Sequence, residues 1–267
     1  MVGHRAPGYS RDQFWNGRLV VWQPARKSGY RFNLDPVLLS GFVGEGRHLL
    51  DLGAGCGILG LLLLGWNRVE RVTAVELQPE LAELAQRNAR ENGVSDRMQI
   101  LCGDLRRLDL PTVDVVAFNP PYFPSGRGRA APNRSRDLAR HERYGTLADF
   151  VAVAARQLSG RGHLAAIVRA ARAAELAELL GRSELAVTNV RPVSARIGAT
   201  PSHSLVAARR DSLPRGAEPS PERYEPPLIV HREHGGRGFT DEVEALVRGP
   251  RALPWRRLAS RPRFGGE

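Results

Sequence analysis

The chain has 267 residues, enough for one large domain with a sizeable core. Its apolar share of 42% is close to the globular average and argues against wholesale disorder. A formal net charge of +11 points to an anionic partner such as nucleic acid. Lys27 is the only lysine, so GC-rich coding can explain the choice of arginine, though not the excess of cations over carboxylates. The longest apolar run, Ile58 to Leu64, is interrupted by Gly60 and falls far short of the ~20 residues that span a bilayer. No apolar stretch follows the first basic residues, so no signal peptide is expected. Cys56 and Cys102 suggest neither a disulfide framework nor a zinc site. The expectation is a cytoplasmic protein with no membrane partner and no metal.

In chain order, Leu19-Val20-Val21-Trp22 suits a short strand or hairpin arm, and Leu34 to Phe42 a short helix with Asn33 as N-cap and Asp35-Pro36 in its first turn. His48 to Leu52 reads as a buried strand, followed by a glycine turn and the apolar stretch Ile58 to Leu64. Strands follow at Val72 to Val75, Met98 to Leu101, Val113 to Phe118 and His163 to Val168. Helices are expected over Pro79 to Asn92, Leu147 to Leu158 and Ala170 to Leu180. Leu185 to Val193 and Ser204 to Ala208 suggest a closing antiparallel pair. Strands separated by helices imply βαβ units and hence a doubly wound, mostly parallel α/β sheet. Residues 211–227, rich in Pro, Gly and charge, suggest a linker or long loop. Leu228 to His231 can add a strand, and Asp241 to Val247 a helix capped by Thr240. The Pro/Arg/Gly tail, residues 250–267, is expected to be disordered. The domain expectation is an N-terminal segment at 1–46, a core at 47–210, the linker, an appendage at 228–249, and the tail.

Asp51-Leu52-Gly53-Ala54-Gly55-Cys56-Gly57 follows a strand and opens a helix. Glycines there permit tight turning and close approach of a ligand to backbone. Gly55 to Gly60 also fits G-x-G-x-x-G, a weak dinucleotide signal when alone. The neighbouring acids tilt the choice. Asp51 can orient a ligand ammonium, whereas a pyrophosphate would be repelled. Glu76 ends the second strand of the series and can accept both ribose hydroxyls. Asp104, after the third, can accept an adenine amino group, while the Leu105 backbone N–H reaches a ring nitrogen. With Ala54 and Leu77 beside them, these positions form the expected binding edge for S-adenosylmethionine, which carries sulfonium and ammonium charges and no phosphate.

Asn119-Pro120-Pro121-Tyr122-Phe123 follows the fourth strand. Two prolines fix φ and remove two backbone donors, leaving a stiff turn that presents acceptors. The Asn119 side-chain oxygen and the Pro120 carbonyl can bind the two hydrogens of an amide or exocyclic amine and aim its lone pair. Tyr122 can stack on a planar acceptor, worth ~1–3 kcal/mol for a base. No strong base and no metal is needed.

Together these residues resemble class I methyltransferases of the amino-methylating N-P-P-Y branch, over roughly Gly29 to Arg210. Within that branch the chain is similar to the bacterial tRNA(Val) adenine-N6 methyltransferase family. The similarity rests on Tyr30 to Leu39, on Asn119 to Phe123, and on Ala139-Arg140-His141-Glu142. It implies a seven-stranded Rossmann-like sheet with an antiparallel closing strand. It also implies cofactor contacts at Asp51, Gly53, Gly55, Gly57, Glu76 and Asp104, catalysis by Asn119 to Tyr122, and a tRNA substrate. Residues 124–144 carry Arg127, Arg129, Arg134, Arg140 and His141, which can grip RNA phosphates beside Tyr122 and Phe123. The alternatives are a release-factor glutamine methyltransferase, which shares N-P-P-Y; an rRNA guanine or DNA adenine methyltransferase; and a non-catalytic RNA-binding protein on this scaffold. Only 50 residues precede Asp51, little room for the helical domain usual in the glutamine enzymes, and the basic excess favours RNA.

Overall fold

A computed structural model describes residues 8–25, 31–121, 145–210, 224–232 and 238–250. An eight-stranded sheet runs in the order β10-β8-β9-β7-β6-β3-β4-β5. Its strands are β3 (Gly46–Leu52), β4 (Val69–Glu76), β5 (Met98–Cys102), β6 (Val113–Phe118), β7 (Leu158–Arg169), β8 (Leu185–Ser194), β9 (His203–Arg210) and β10 (Leu228–Ile229). β9 alone is antiparallel to its neighbours, β7 and β8. The expected seven strands are all present, and β10 adds an eighth along β8. Residues 224–227 are not free linker: Tyr224 bridges to Val190, and the Glu225 amide donates to the Val190 carbonyl at 2.9 Å. Residues 211–223 and the 251–267 tail lie outside the described residues.

Alternation along the strands builds two cores, because successive side chains point to opposite faces. Leu49, Val115, Ala165 and Ile167 face one layer, with α1 (Asp35–Phe42), α2 (Ile58–Gly65) and α3 (Pro79–Glu91). Leu50, Leu52, Val116, Phe118 and Leu164 face the other, with α4 (Leu147–Gln157) and α5 (Ala173–Arg182). Helices on both faces explain why these strands read as near-continuous apolar runs.

The N-terminal hairpin pairs β1 (Tyr9–Phe14) with β2 (Leu19–Pro24) and docks on α3 through two buried asparagines. Asn88 accepts from the Trp22 amide at 2.6 Å and donates to its carbonyl at 2.9 Å. Asn92, one turn on, does the same to Val20 at 3.0 and 2.7 Å. The pair presents to β2 the donor–acceptor pattern of a neighbouring strand. Asn88 also donates to the Cys56 carbonyl at 2.9 Å, so hairpin, α3 and glycine turn form one unit.

Three local expectations are corrected. The N-cap of α1 is Leu34, not Asn33; the Asn33 side chain instead accepts from the Asp35 amide at 3.0 Å. Thr240 stands at the N-cap of α6 (Asp241–Arg248), but its hydroxyl donates to the Ile229 carbonyl at 2.7 Å and ties the helix to β10. β7 begins at Leu158, five residues early, because Ser159-Gly160-Arg161-Gly162 runs through a bulge opposite Val113 to Val115 and not through a loop.

Candidate active site

Strand order reverses at β3: β4 and β5 lie to one side, β6 and β7 to the other. Ligands of open α/β sheets bind outside the carboxyl ends at such a reversal. Leu52 and Phe118 are register partners, so Gly53 and Asn119 leave the sheet side by side. Between them opens a cleft of about 650 Å³, its mouth included, lined by Gly53, Gly55, Glu76, Leu77, Asp104, Leu105, Asn119 and Pro121.

The turn after β3 holds Gly53, Gly55 and Gly57 at φ of 73°, 58° and 79°, where side chains are strained. The Gly53 and Ala54 amides both donate to the Val75 carbonyl at 2.9 Å. At Gly57 a Cβ would stand 2.7 Å from Met98 Cε and 3.2 Å from Ala85 Cβ, so this glycine lets the turn press on α3.

Glu76 pins the turn to the end of β4. Its two oxygens accept from the Gly55 and Gln78 amides, each at 2.8 Å. Burial raises its pKa above the usual range, and those amides oppose the rise. Asp51 is 2% exposed, and its Oδ2 is buried without a hydrogen-bond partner. Burial pushes its carboxyl up to about 7, with Glu76 adding repulsion. Neither acid has an ion pair among the described residues. Two buried carboxyls without a cation make a site suited to a positively charged ligand, since an opposite charge restores the ionised form. Cys56, buried in the turn, has its thiol pushed up to about 12 and stays protonated.

At the far end of the cleft, Asp104 is engaged by a residue the sequence did not single out. Arg106 donates to both its oxygens, at 2.7 to 3.1 Å, and holds its pKa low. The same guanidinium lies 3.8 Å from Asp149, which closes a capping box with Thr146 at the start of α4. A ligand amine at Asp104 would therefore share the carboxylate with Arg106.

Of the residues expected at the cofactor, Gly53, Gly55, Glu76, Leu77, Asp104, Leu105 and Asn119 line one cleft. Asp51, near the end of β3, and Ala54 and Gly57, in the turn, are buried and do not line it. The sequence reading missed Val75, Gln78, Leu81 and Phe150 as lining residues. Leu81 was legible only as part of an apolar helix face. Phe150 reaches the cleft from α4 and packs on Phe118 in a tilted pair with ring centroids 5.6 Å apart, a tertiary contact with no local signal. Asn119 and Pro121 line the cleft, and Pro120 is buried beside them. Tyr122, Phe123, Arg127, Arg129, Arg134, Arg140 and His141 lie outside the described residues. No cluster of three potential metal ligands occurs among the described residues. No described helix is long and apolar enough to cross a membrane.

A doubly wound sheet with a glycine turn, acids at successive strand ends and an Asn-Pro-Pro segment across the cleft defines the class I methyltransferase core. Residues 35–191 match the model of the methyltransferase small domain, and the chain belongs to that family. It is similar to proteins named tRNA1(Val) (adenine(37)-N6)-methyltransferase. The one from Porphyromonas gingivalis is 36% identical over 149 residues, 51% of this chain and 58% of that protein. The one from Haemophilus influenzae is 30% identical over 184 residues, covering 66% and 76%. The chain thus spans less than two thirds of the first of these relatives. Among solved structures, a predicted O-methyltransferase from Agrobacterium tumefaciens superimposes with a TM-score of 0.59 at 26% identity, covering 80% of this chain and 97% of that one. M. jannaschii TYW2, solved in complex with AdoMet, shares the fold at a TM-score of 0.53 and 14% identity, covering 78% and 88%.

Proposed function

We propose that this chain is an S-adenosylmethionine-dependent N-methyltransferase that acts on the exocyclic amine of an adenine in RNA, in the anticodon loop of a tRNA. One observation carries the reading: Asn119 and Pro121 share a single cleft with Glu76 and Asp104. The names of the relatives and the net charge of +11 support a tRNA acceptor.

The residues present fit the cofactor. Asp51, whose buried Oδ2 has no partner, supplies the charge that favours a cationic ligand at the glycine turn. Glu76 would take the ribose hydroxyls, using lone pairs beyond those that accept from Gly55 and Gln78. Asp104 and the Leu105 N–H would hold the adenine. When bound, the cofactor supplies an electrophilic methyl group on a sulfonium.

The chain's own residues prepare the acceptor. An aromatic amine is a poor nucleophile because its lone pair is delocalised. The Asn119 side-chain oxygen and the Pro120 carbonyl accept the two amine hydrogens and turn the lone pair toward the donor. Preorganised acceptors in a cleft lined by Phe150 cost little reorganisation during reaction. The amine becomes acidic only as it gains positive charge, so no strong base is required. An unpaired loop adenine costs little to extrude. In this reading residues 47–210 form the catalytic domain, the 1–46 and 228–249 segments brace it, Tyr122 and Phe123 contact the base, and the arginines of 124–144 contact phosphate. The protein works in the cytoplasm.

Incubation with labelled cofactor and separate pools of tRNA, rRNA, DNA and release factor, followed by digestion, tests the reading. N6-methyladenosine from tRNA is the expected product. Methylglutamine or a methylated guanine overturns the acceptor, and no transfer to any pool overturns the enzyme.

A further inference from the structure

The acceptor side of the carboxyl edge carries a feature outside the cleft. β8 runs parallel to β6, so the loop joining β8 to β9 emerges on the edge that carries Asn119. Three strand positions separate β8 from β6, on the order of 15 Å at the usual spacing. The loop is a formed turn: the Ala199 amide donates to the Arg196 carbonyl at 3.1 Å, and Gly198 sits at φ 74° in its third position. Ile197, at the second position, is 65% exposed, the most exposed large hydrophobic among the described residues. A turn held by its own hydrogen bond cannot tuck that side chain away.

The chemistry around it is cationic. Residues 195–203 contain no acid. Arg196 is exposed and makes no ion pair among the described residues. Arg169, also exposed, ends β7 in register with His203 at the start of β9. Asp35 is the acid beneath, 5% exposed and 3.9 Å from His203, and Asn33 donates to it at 2.7 Å. Just past β10, His231 donates its amide to the Ala195 carbonyl, and the next residue, Arg232, takes up Asp241 and Glu244.

We infer that the β8–β9 turn is a second RNA contact, in which Ile197 packs against an unstacked base of a single-stranded loop while Arg196 meets the flanking phosphate. The inference rests on the RNA reading above. An apolar side chain among cations, on the edge where the acceptor must enter, fits a polyanion whose bases offer apolar faces. A duplex hides those faces, so the contact selects single-stranded loops.

The test is binding of a labelled RNA hairpin with an adenine in its loop, over a range of salt, to the full chain and to Ile197→Ser and Arg196→Ala. Both positions are exposed, so neither substitution threatens the fold. Arg196→Ala should lower the slope of log affinity against log salt by about 1. Ile197→Ser should weaken hairpin binding by about tenfold with the slope kept, and leave binding to a blunt RNA duplex unchanged. Affinity for S-adenosylhomocysteine should stay the same in both. If both variants match the parent on the hairpin, or Ile197→Ser loses as much on the duplex, the inference is overturned. A change in self-association in place of RNA affinity overturns it too, making the turn an interface between copies. If the parent chain binds no RNA, the proposed function itself falls; if it binds and methylates RNA while the variants match it, only the inference falls.

Discussion

Over β3 and β4 the carboxyl edge is made of glycines and two buried acids, Asp51 and Glu76, and over β5 it carries Asp104, held by Arg106. Over β7, β9 and β8 the same edge is exposed, arginine-bearing and ends in the projecting Ile197 turn. The first half can enclose a small cation, because Asp51 and Glu76 are already desolvated and lack countercharge. The second half presents no such enclosure and suits a large anion held from outside. Asn119 stands at the seam, one strand from each. On the proposed reading, one parallel sheet would serve two ligand chemistries through what is set on its strand ends, meeting at the switch point.

Substitutions should separate the halves. The largest effect is expected at the seam. Asn119→Ala should cut single-turnover methyl transfer by about 10²–10³-fold, the usual cost of a lost oriented polar group, while calorimetric cofactor affinity stays within a few-fold. A matching loss of affinity would assign Asn119 to the donor half instead. Next, Glu76→Ala strips the Gly55 and Gln78 amides of their acceptor. It should destabilise the fold by ~1–3 kcal/mol in denaturant melts and weaken cofactor binding together. Unchanged stability would show that the turn holds itself.

Asp51 supplies a pH signature. Its folded pKa of about 7 stands above the unfolded carboxyl near 3.9. The folded chain therefore holds an extra proton between those values. The stability this group contributes is full below about pH 3.9 and is lost as pH rises through about 7. Cofactor affinity should move the opposite way, strengthening as pH rises through about 7, because a cationic ligand favours the carboxylate. Asp51→Asn should flatten both trends; trends that persist in the variant would place the titration elsewhere. The smallest effect is expected for Arg106→Ala, which frees Asp104 while removing its brace. Affinity for S-adenosylhomocysteine should change only a few-fold, and calorimetry giving a loss beyond about a hundredfold would make Arg106 a direct ligand contact.

The cleft lining over β3, β4 and β5 is largely legible in the sequence because its signals are local. Asp51, Glu76 and Asp104 each follow an apolar run, and the glycines announce the turn. What was hidden depends on residues far apart in the chain. Nothing in the sequence marks the bidentate grip of Arg106 on Asp104, nor that Asn88, inside the helix expected over Pro79 to Asn92, joins β2 to the glycine turn. The early start of β7 was masked by Gly160 and Gly162, since glycine reads as loop until a bulge accounts for it. The eighth strand, only Leu228–Ile229, is too short for periodicity to mark its end; pairing with β8 defines it.

The most direct test of the central claim is a crystal structure with S-adenosylhomocysteine. The amino-acid end is expected over Gly53 and Gly55 with the Asp51 carboxylate behind it, the ribose at Glu76, the adenine at Asp104 and Leu105, and the sulfur facing Asn119. A ligand bound outside this cleft, or reversed so that its adenine meets Asn119, would contradict it.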